Sequence, residues 1–158
     1  MKINTKKVRG RRKVRYESLD ELLADAKQLS ESDIRTLGNW SQGQIYEHLA
    51  WSLGASIDGA GFSFPPPVRW LMTLLMKRKF LKQTLPAGFK ATGQFIPEET
   101  AVEEGLVSLE KAISRQKQES KRAPHPAFGD IGREGWNDFN LRHSEMHMSF
   151  LVNGESQK

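Results

Sequence analysis

The sequence predicts an all-α protein, a small helical bundle made of one domain. Five segments carry apolar residues at helical spacing, and none shows the strict two-residue alternation that marks a half-buried strand. A chain of 158 residues with 37% hydrophobic and 27% charged side chains is long enough to bury one core and is an ordinary length for one domain. Capping residues and Gly or Pro breaks fall between the helical segments.

The first helix opens at Ser18, with Glu21 three positions on to complete a capping box, and runs through Leu22, Leu23, Ala26 and Leu29 to an end near Ser30. The second begins at Ser41 with Gln44 as its capping partner, and Ile45, Leu49, Leu53 and Ile57 form its apolar stripe. Gly59, Gly61 and Pro65-Pro66-Pro67 end it and impose an extended crossing. The third segment, residues 68–82, is apolar over 70–76 apart from Thr73 and then basic at Lys77, Arg78 and Lys79. Its apolar run is far shorter than the ~20 residues of a membrane span. It is expected as a core helix with cations in its last turns rather than as a membrane-surface helix. The fourth helix is expected from Pro97, with Glu98 and Glu99 complementing the helix dipole and Val102, Leu106, Leu109 and Ile113 forming the seam. Residues 119–132 form a long loop, and the last helix follows from about Arg133.

There is no cysteine, so disulfides, thiolate metal ligands and a cysteine nucleophile are excluded, and any metal ligand is His, Asp or Glu. The formal charge is +5, unevenly spread. Eight of the twenty-four Lys and Arg lie in residues 1–15, which hold no acid; the other sixteen face nineteen acids, a net charge of −3. The basicity therefore belongs to a tail, read as a flexible arm over 1–15, with the domain over 16–152 and a flexible C-terminus over 153–158. No apolar stretch follows the N-terminal charges as a secretory signal requires, which makes a cytoplasmic protein the expectation.

The chemistry concentrates in the last helix. Its inward stripe reads Trp136, Phe139, Asn140, His143, His147, Phe150 and Leu151. At i, i+4 the imidazoles of His143 and His147 project from one face and can converge on one ion. His48, beside the apolar stripe of the second helix, supplies a third nitrogen if an antiparallel bundle sets those two helices side by side. Three of the four histidines then lie on inward faces, where unpartnered imidazoles are costly and a shared divalent metal satisfies one nitrogen of each. Asn140 and Gln44, each about one turn from a proposed ligand, are candidates to hold the remaining ring nitrogens; both also read as plain cap or helix polars. A zinc-protease helix is excluded, because Ser144 follows His143 and Glu145 points to the opposite face. His125, between Pro124 and Pro126, can overhang the site as an acid or base, but reads better as a turn residue.

At these residues the chain resembles a known family. Trp40-Ser41-Gln42-Gly43-Gln44-Ile45-Tyr46-Glu47-His48-Leu49-Ala50 and Arg142-His143-Ser144-Glu145-Met146-His147 resemble the first and last metal-ligand helices of the DinB-like superfamily. His125-Pro126-Ala127-Phe128-Gly129 and Ser18-Leu19-Asp20-Glu21-Leu22-Leu23 resemble, more narrowly, an uncharacterised branch of it. The resemblance covers residues 16–152. It implies an up-down four-helix bundle with one long crossover, frequent homodimerisation, and His48, His143 and His147 on a nickel- or zinc-type ion. Better-known relatives are metal-dependent thiol S-transferases and hydrolases. Met146 departs from the branch, which often has another histidine there.

Three functions follow as expectations. The first is a metal-dependent transferase or hydrolase acting on a small molecule, with a low-molecular-weight thiol as a possible co-substrate. The second is a non-catalytic metal-binding bundle, since the inward stripes offer no general acid or base. The third is nucleic-acid binding through the basic tail, disfavoured because no aromatic precedes Tyr16 to stack bases. No membrane partner is expected. Imidazole ligands alone suit zinc, nickel, iron and manganese alike.

Overall fold

A computed structural model describes residues 2–89 and 93–154. Its elements in order are α1 (Leu19–Ser30), β1 (Ile34–Thr36), α2 (Gln42–Asp58), α3 (Pro66–Lys82), α4 (Val102–Gln118), α5 (Gly132–Met148) and β2 (Leu151–Asn153). Helices α1, α2, α4 and α5 pack together as a bundle, and α3, carried on the long crossover between α2 and α4, lies against α5. Tyr46, Leu49, Leu53, Leu109, Ile113 and Leu22 are the centre of the core. No helix among the described residues is long and apolar enough to cross a membrane.

The local signals act largely as expected. Ser41 Oγ accepts from Gln44 N while the Gln44 amide oxygen accepts from Ser41 N, a complete capping box at α2. At α1 only half the box forms: Ser18 Oγ accepts from Glu21 N, but the Glu21 carboxylate accepts from Glu17 N instead of returning to Ser18. Helix α4 starts at Val102, five residues after the expected Pro97, whose carbonyl accepts from Gln44 Nε2 at 3.0 Å. Glu103 and Glu104 then occupy the first turn in place of Glu98 and Glu99. Helix α5 ends at Met148, so Phe150 and Leu151, expected on its stripe, are buried beyond it. Leu151 opens the ladder in which Thr36, Arg35 and Ile34 pair antiparallel with Leu151, Val152 and Asn153.

Two expectations are overturned. Helix α3 is not a core helix: it buries no residue, and Trp70, Leu71, Leu74 and Leu75 are 68%, 49%, 67% and 68% exposed. Only one side of it, with Phe80 among the residues packed against the core, meets the bundle. The basic segment is not a free arm over its described length. Arg12 makes a bidentate pair with Asp25 of α1 at 3.0 and 2.7 Å, and its amide donates to the Ser149 carbonyl. Arg11 stacks over Phe150, Val8 and Val14 pack on the core, and Asn39 brackets the backbone of Ile3. Arg12 and Arg15 of the acid-free stretch find counter-charges in Asp25 and Glu145 of the bundle. Of the expected flexible C-terminus, Asn153 and Gly154 close against β1 and Asp33, and 155–158 lie outside the described residues.

Two close contacts set the packing. Helices α2 and α4 meet backbone to backbone: a Cβ on Gly43 would lie 2.0 Å from the Thr100 carbonyl oxygen, and one on Gly105 would lie 2.5 Å from the Gly43 oxygen. Behind α5, the Glu145 carboxylate is fully buried. It accepts from Tyr16 N at 2.9 Å, Thr84 Oγ1 at 2.6 Å and Arg142 at 3.0 Å, and Arg142 in turn donates to the Tyr16 carbonyl.

Gly105→Ala is expected to lower stability by about 1–3 kcal/mol, because the atom it meets is backbone and the helices must separate. Arg142→Ala, which removes the buried cation beside Glu145 and leaves it only the half-exposed Arg15 at 3.7 Å, is expected to cost about 3–5 kcal/mol. Urea unfolding of both variants checks these values; an unchanged midpoint for Arg142→Ala would show that Arg15 and the two neutral donors suffice for Glu145.

Candidate metal centre

The four-residue spacing on α5 and the inward placement on α2 bring His48, His143 and His147 to one point. Nε2 of His143 stands 3.4 Å from Nε2 of His48 and 3.0 Å from Nε2 of His147, and the three donor atoms lie within 4.8 Å of one another. Ligands ~2.1 Å from a common ion and ~90–109° apart stand about 3.0–3.4 Å from each other. The donor set thus has the spacing and the chemistry to hold a metal ion, and it joins residues 95 positions apart.

Each ring is backed by a flat aromatic neighbour. Trp40 stacks on His147 at 5.3 Å, Trp51 on His48 at 6.0 Å and Phe139 on His143 at 5.7 Å. Ser52 Oγ stands 3.1 Å from Nδ1 of His143, and His48 has a hydrogen bond to the backbone of Phe95. A proton on Nδ1 of His143, donated to Ser52, leaves the Nε2 lone pair facing its two neighbours. Ser52 was missed by the sequence reading, although a signal for it exists: it follows His48 by four residues and so shares its face of α2.

The other expected site residues lie apart from the imidazole nitrogens. Gln44 is committed to its capping box and to Pro97. Asn140 is buried, with neither amide atom hydrogen-bonded among the described residues, so it holds no ring nitrogen. His125 is the centre of a tight turn: its backbone pairs with Gly129 in both directions, and its Nδ1 accepts from Ala127 N at 3.1 Å. Its ring stacks on Phe128, and Phe139 touches both it and His143. A cleft of about 530 Å³ opens on His48, the one of the three histidines in its wall, and is lined also by Glu47, Trp51, Phe95, Pro97 and Glu98. Glu47, adjacent to His48 in sequence, is thus one of its walls.

Burial holds the imidazoles neutral. It pushes His48 down to about 4 against the opposing hydrogen bond to Phe95, and His143 down to about 3 with added repulsion from His48 and His125. His147 is pushed well below its ordinary value by burial and then by His143 and His48. Neutral rings are the form that ligates metal. Burial alone moves His125 to about 4. In the unfolded chain a histidine titrates near ~6.5, so between about pH 6.5 and 4 the unfolded state binds the proton first. Stability present above that window is therefore lost as pH falls through it. In a chelating buffer the urea midpoint is expected to drop between pH 7.5 and 5, and His125→Gln to lose less over the same interval; equal losses would mean that His125 is protonated alike in both states.

Comparison with curated proteins and with solved structures gives no match. A family model does match, over residues 8–154, nearly the whole chain and including all three converging histidines. The chain belongs to the family described as a protein of unknown function, DUF1569.

Proposed function

We propose that the chain is a metal-dependent enzyme that holds one divalent ion on His48, His143 and His147 and transfers or hydrolyses a small molecule in the adjoining cleft. In the transferase form a low-molecular-weight thiol is the co-substrate. The observation that carries this reading is the convergence of three neutral imidazoles, with Nε2 separations of 3.4 and 3.0 Å around His143, one of which, His48, lines an open cleft. Three protein ligands are the complement of catalytic sites that keep a coordination position open. When bound, a divalent ion supplies a lowered pKa for water or thiol and so a nucleophile near neutral pH.

The chain's own residues do the rest. Ser52 orients His143, and the stacked rings of Trp40, Trp51 and Phe139 restrain the imidazoles from turning. Trp51, Phe95 and Pro97 offer an apolar wall for the organic part of a substrate, and Glu47 and Glu98 are charged groups at the same wall. The likeness of residues 40–50 and 142–147 to DinB-like helices supports the same reading. Zinc or nickel is the proposed ion, with iron and manganese compatible with the donor set. A passive metal-binding bundle is the second reading, favoured by the engagement of His125 in its own turn.

Elemental analysis of the purified protein beside a His143→Ala, His147→Ala double variant tests the site. About one ion per chain is expected in the parent and none in the variant; equal content in both rejects it. Ser52→Ala is expected to weaken metal affinity by roughly 10–100-fold. Turnover against a panel of thiols and electrophiles, lost on chelation and in the double variant, separates an enzyme from a passive binder.

A further inference from the structure

Among the described residues, eight of the eleven large hydrophobic side chains that are exposed lie between residues 62 and 89. Their densest part is α3, where Trp70, Leu71, Leu74 and Leu75 sit at successive turns on the side away from the bundle. An uninterrupted apolar row of this kind on a helix that buries nothing is the mark of an interaction surface rather than of chance exposure. Arg78 continues the row one turn beyond Leu74, with Lys77 and Lys79 on either side of it. None of these three has an ion pair among the described residues, whereas Lys82 is paired with Asp138 at 2.8 Å. The whole stretch from 59 to 97 holds six Lys or Arg and no Asp or Glu, in a chain whose acids and bases are otherwise interspersed beyond its N-terminal segment.

We propose that α3 is a docking surface for an anionic lipid bilayer, which it enters with Trp70, Leu71, Leu74 and Leu75 while Lys77, Arg78 and Lys79 meet the headgroup phosphates. The charge argues for lipid over a second copy of the chain. A self-complementary contact through α3 sets two acid-free basic segments against each other, whereas an anionic surface neutralises both kinds of exposure at once. The chemistry of the row argues for lipid over a protein partner. Beyond the indole N–H of Trp70, which suits the headgroup level of a bilayer, it offers no polar group to make the hydrogen bonds that protein interfaces carry, and a bilayer requires none. The helix adsorbs without spanning, and the bundle remains in water. The inference is independent of the metal centre, whose ligands lie on α2 and α5.

The test uses the full chain with phosphatidylcholine vesicles, with and without phosphatidylglycerol, read by flotation and tryptophan emission. Binding to the anionic vesicles is expected to be at least roughly tenfold tighter than to the neutral ones, and to weaken with salt. The emission should shift to the blue on binding. Trp70→Phe should remove the shift and keep the binding, because Trp40, Trp51 and Trp136 already sit within the fold. Leu74→Ser with Leu75→Ser, and separately Lys77→Gln with Arg78→Gln and Lys79→Gln, should each cost roughly tenfold or more while circular dichroism and metal content stay unchanged. Equal or absent binding to both vesicles overturns the proposal. So does a dimer in sedimentation that the leucine variant dissociates, which gives the face to a second copy. Vesicle binding lost only in a Lys6→Gln, Lys7→Gln, Arg9→Gln variant overturns it too, and moves the contact to the N-terminal segment.

Discussion

A carboxylate sealed inside the protein governs how the last helix sits. Glu145 is fully buried, and its partners come from three stretches of chain that share nothing in sequence: Tyr16 before α1, Thr84 after α3, and Arg142 on α5 itself. A buried charge persists only where such partners surround it, so the N-terminal segment and the end of the crossover are bound to one rotation of α5. The histidines occupy the other side of that helix. Their direction is thus set from behind, by an interaction that lies outside the histidine cluster.

Helix α5 is consequently polar on two sides and buried on both, which is unusual for a bundle helix and explains its composition. On the rear face the charges cancel within the fold. On the front face they are avoided, because desolvation keeps the imidazoles neutral and leaves their lone pairs unspent. Stacked aromatic rings complete the packing that a purely aliphatic helix would have supplied. The same helix therefore contributes to the core and presents donor atoms, with neither role given to a loop.

The bundle and its histidine face were legible because they rest on local rules: the caps at Ser18 and Ser41, four-residue spacing, and the inward position of His48. What escaped depends on the rest of the chain. Residues 70–76 read as interior because hydrophobicity carries no information about whether a partner surface is present, and the bundle needs only one side of α3. The N-terminal bases read as a free arm because their counter-charge, Asp25, and their aromatic partner, Phe150, are distant in sequence. The three-residue strands are too short to show alternation at all. Ser52 and Glu47 were each within reach, by spacing and by adjacency to His48, but only the contact with His143 for the one and the position of the cleft for the other distinguish them from ordinary helix polars.

The glycine contact between α2 and α4 divides the molecule mechanically. With Gly43 and Gly105 touching through their main chains, those helices form one stiff plate, and His48 and Ser52 ride on it. His143 and His147 ride on the neighbouring element, anchored through Glu145. The gap between His48 and His143 consequently gauges how far one body has slid along the other: a displacement of a single ångström, small for packed helices, is a large fraction of the 3.4 Å that separates their donor atoms. An ion seated there would lock the two bodies in register, a rivet in a chain that has no cysteine to supply one.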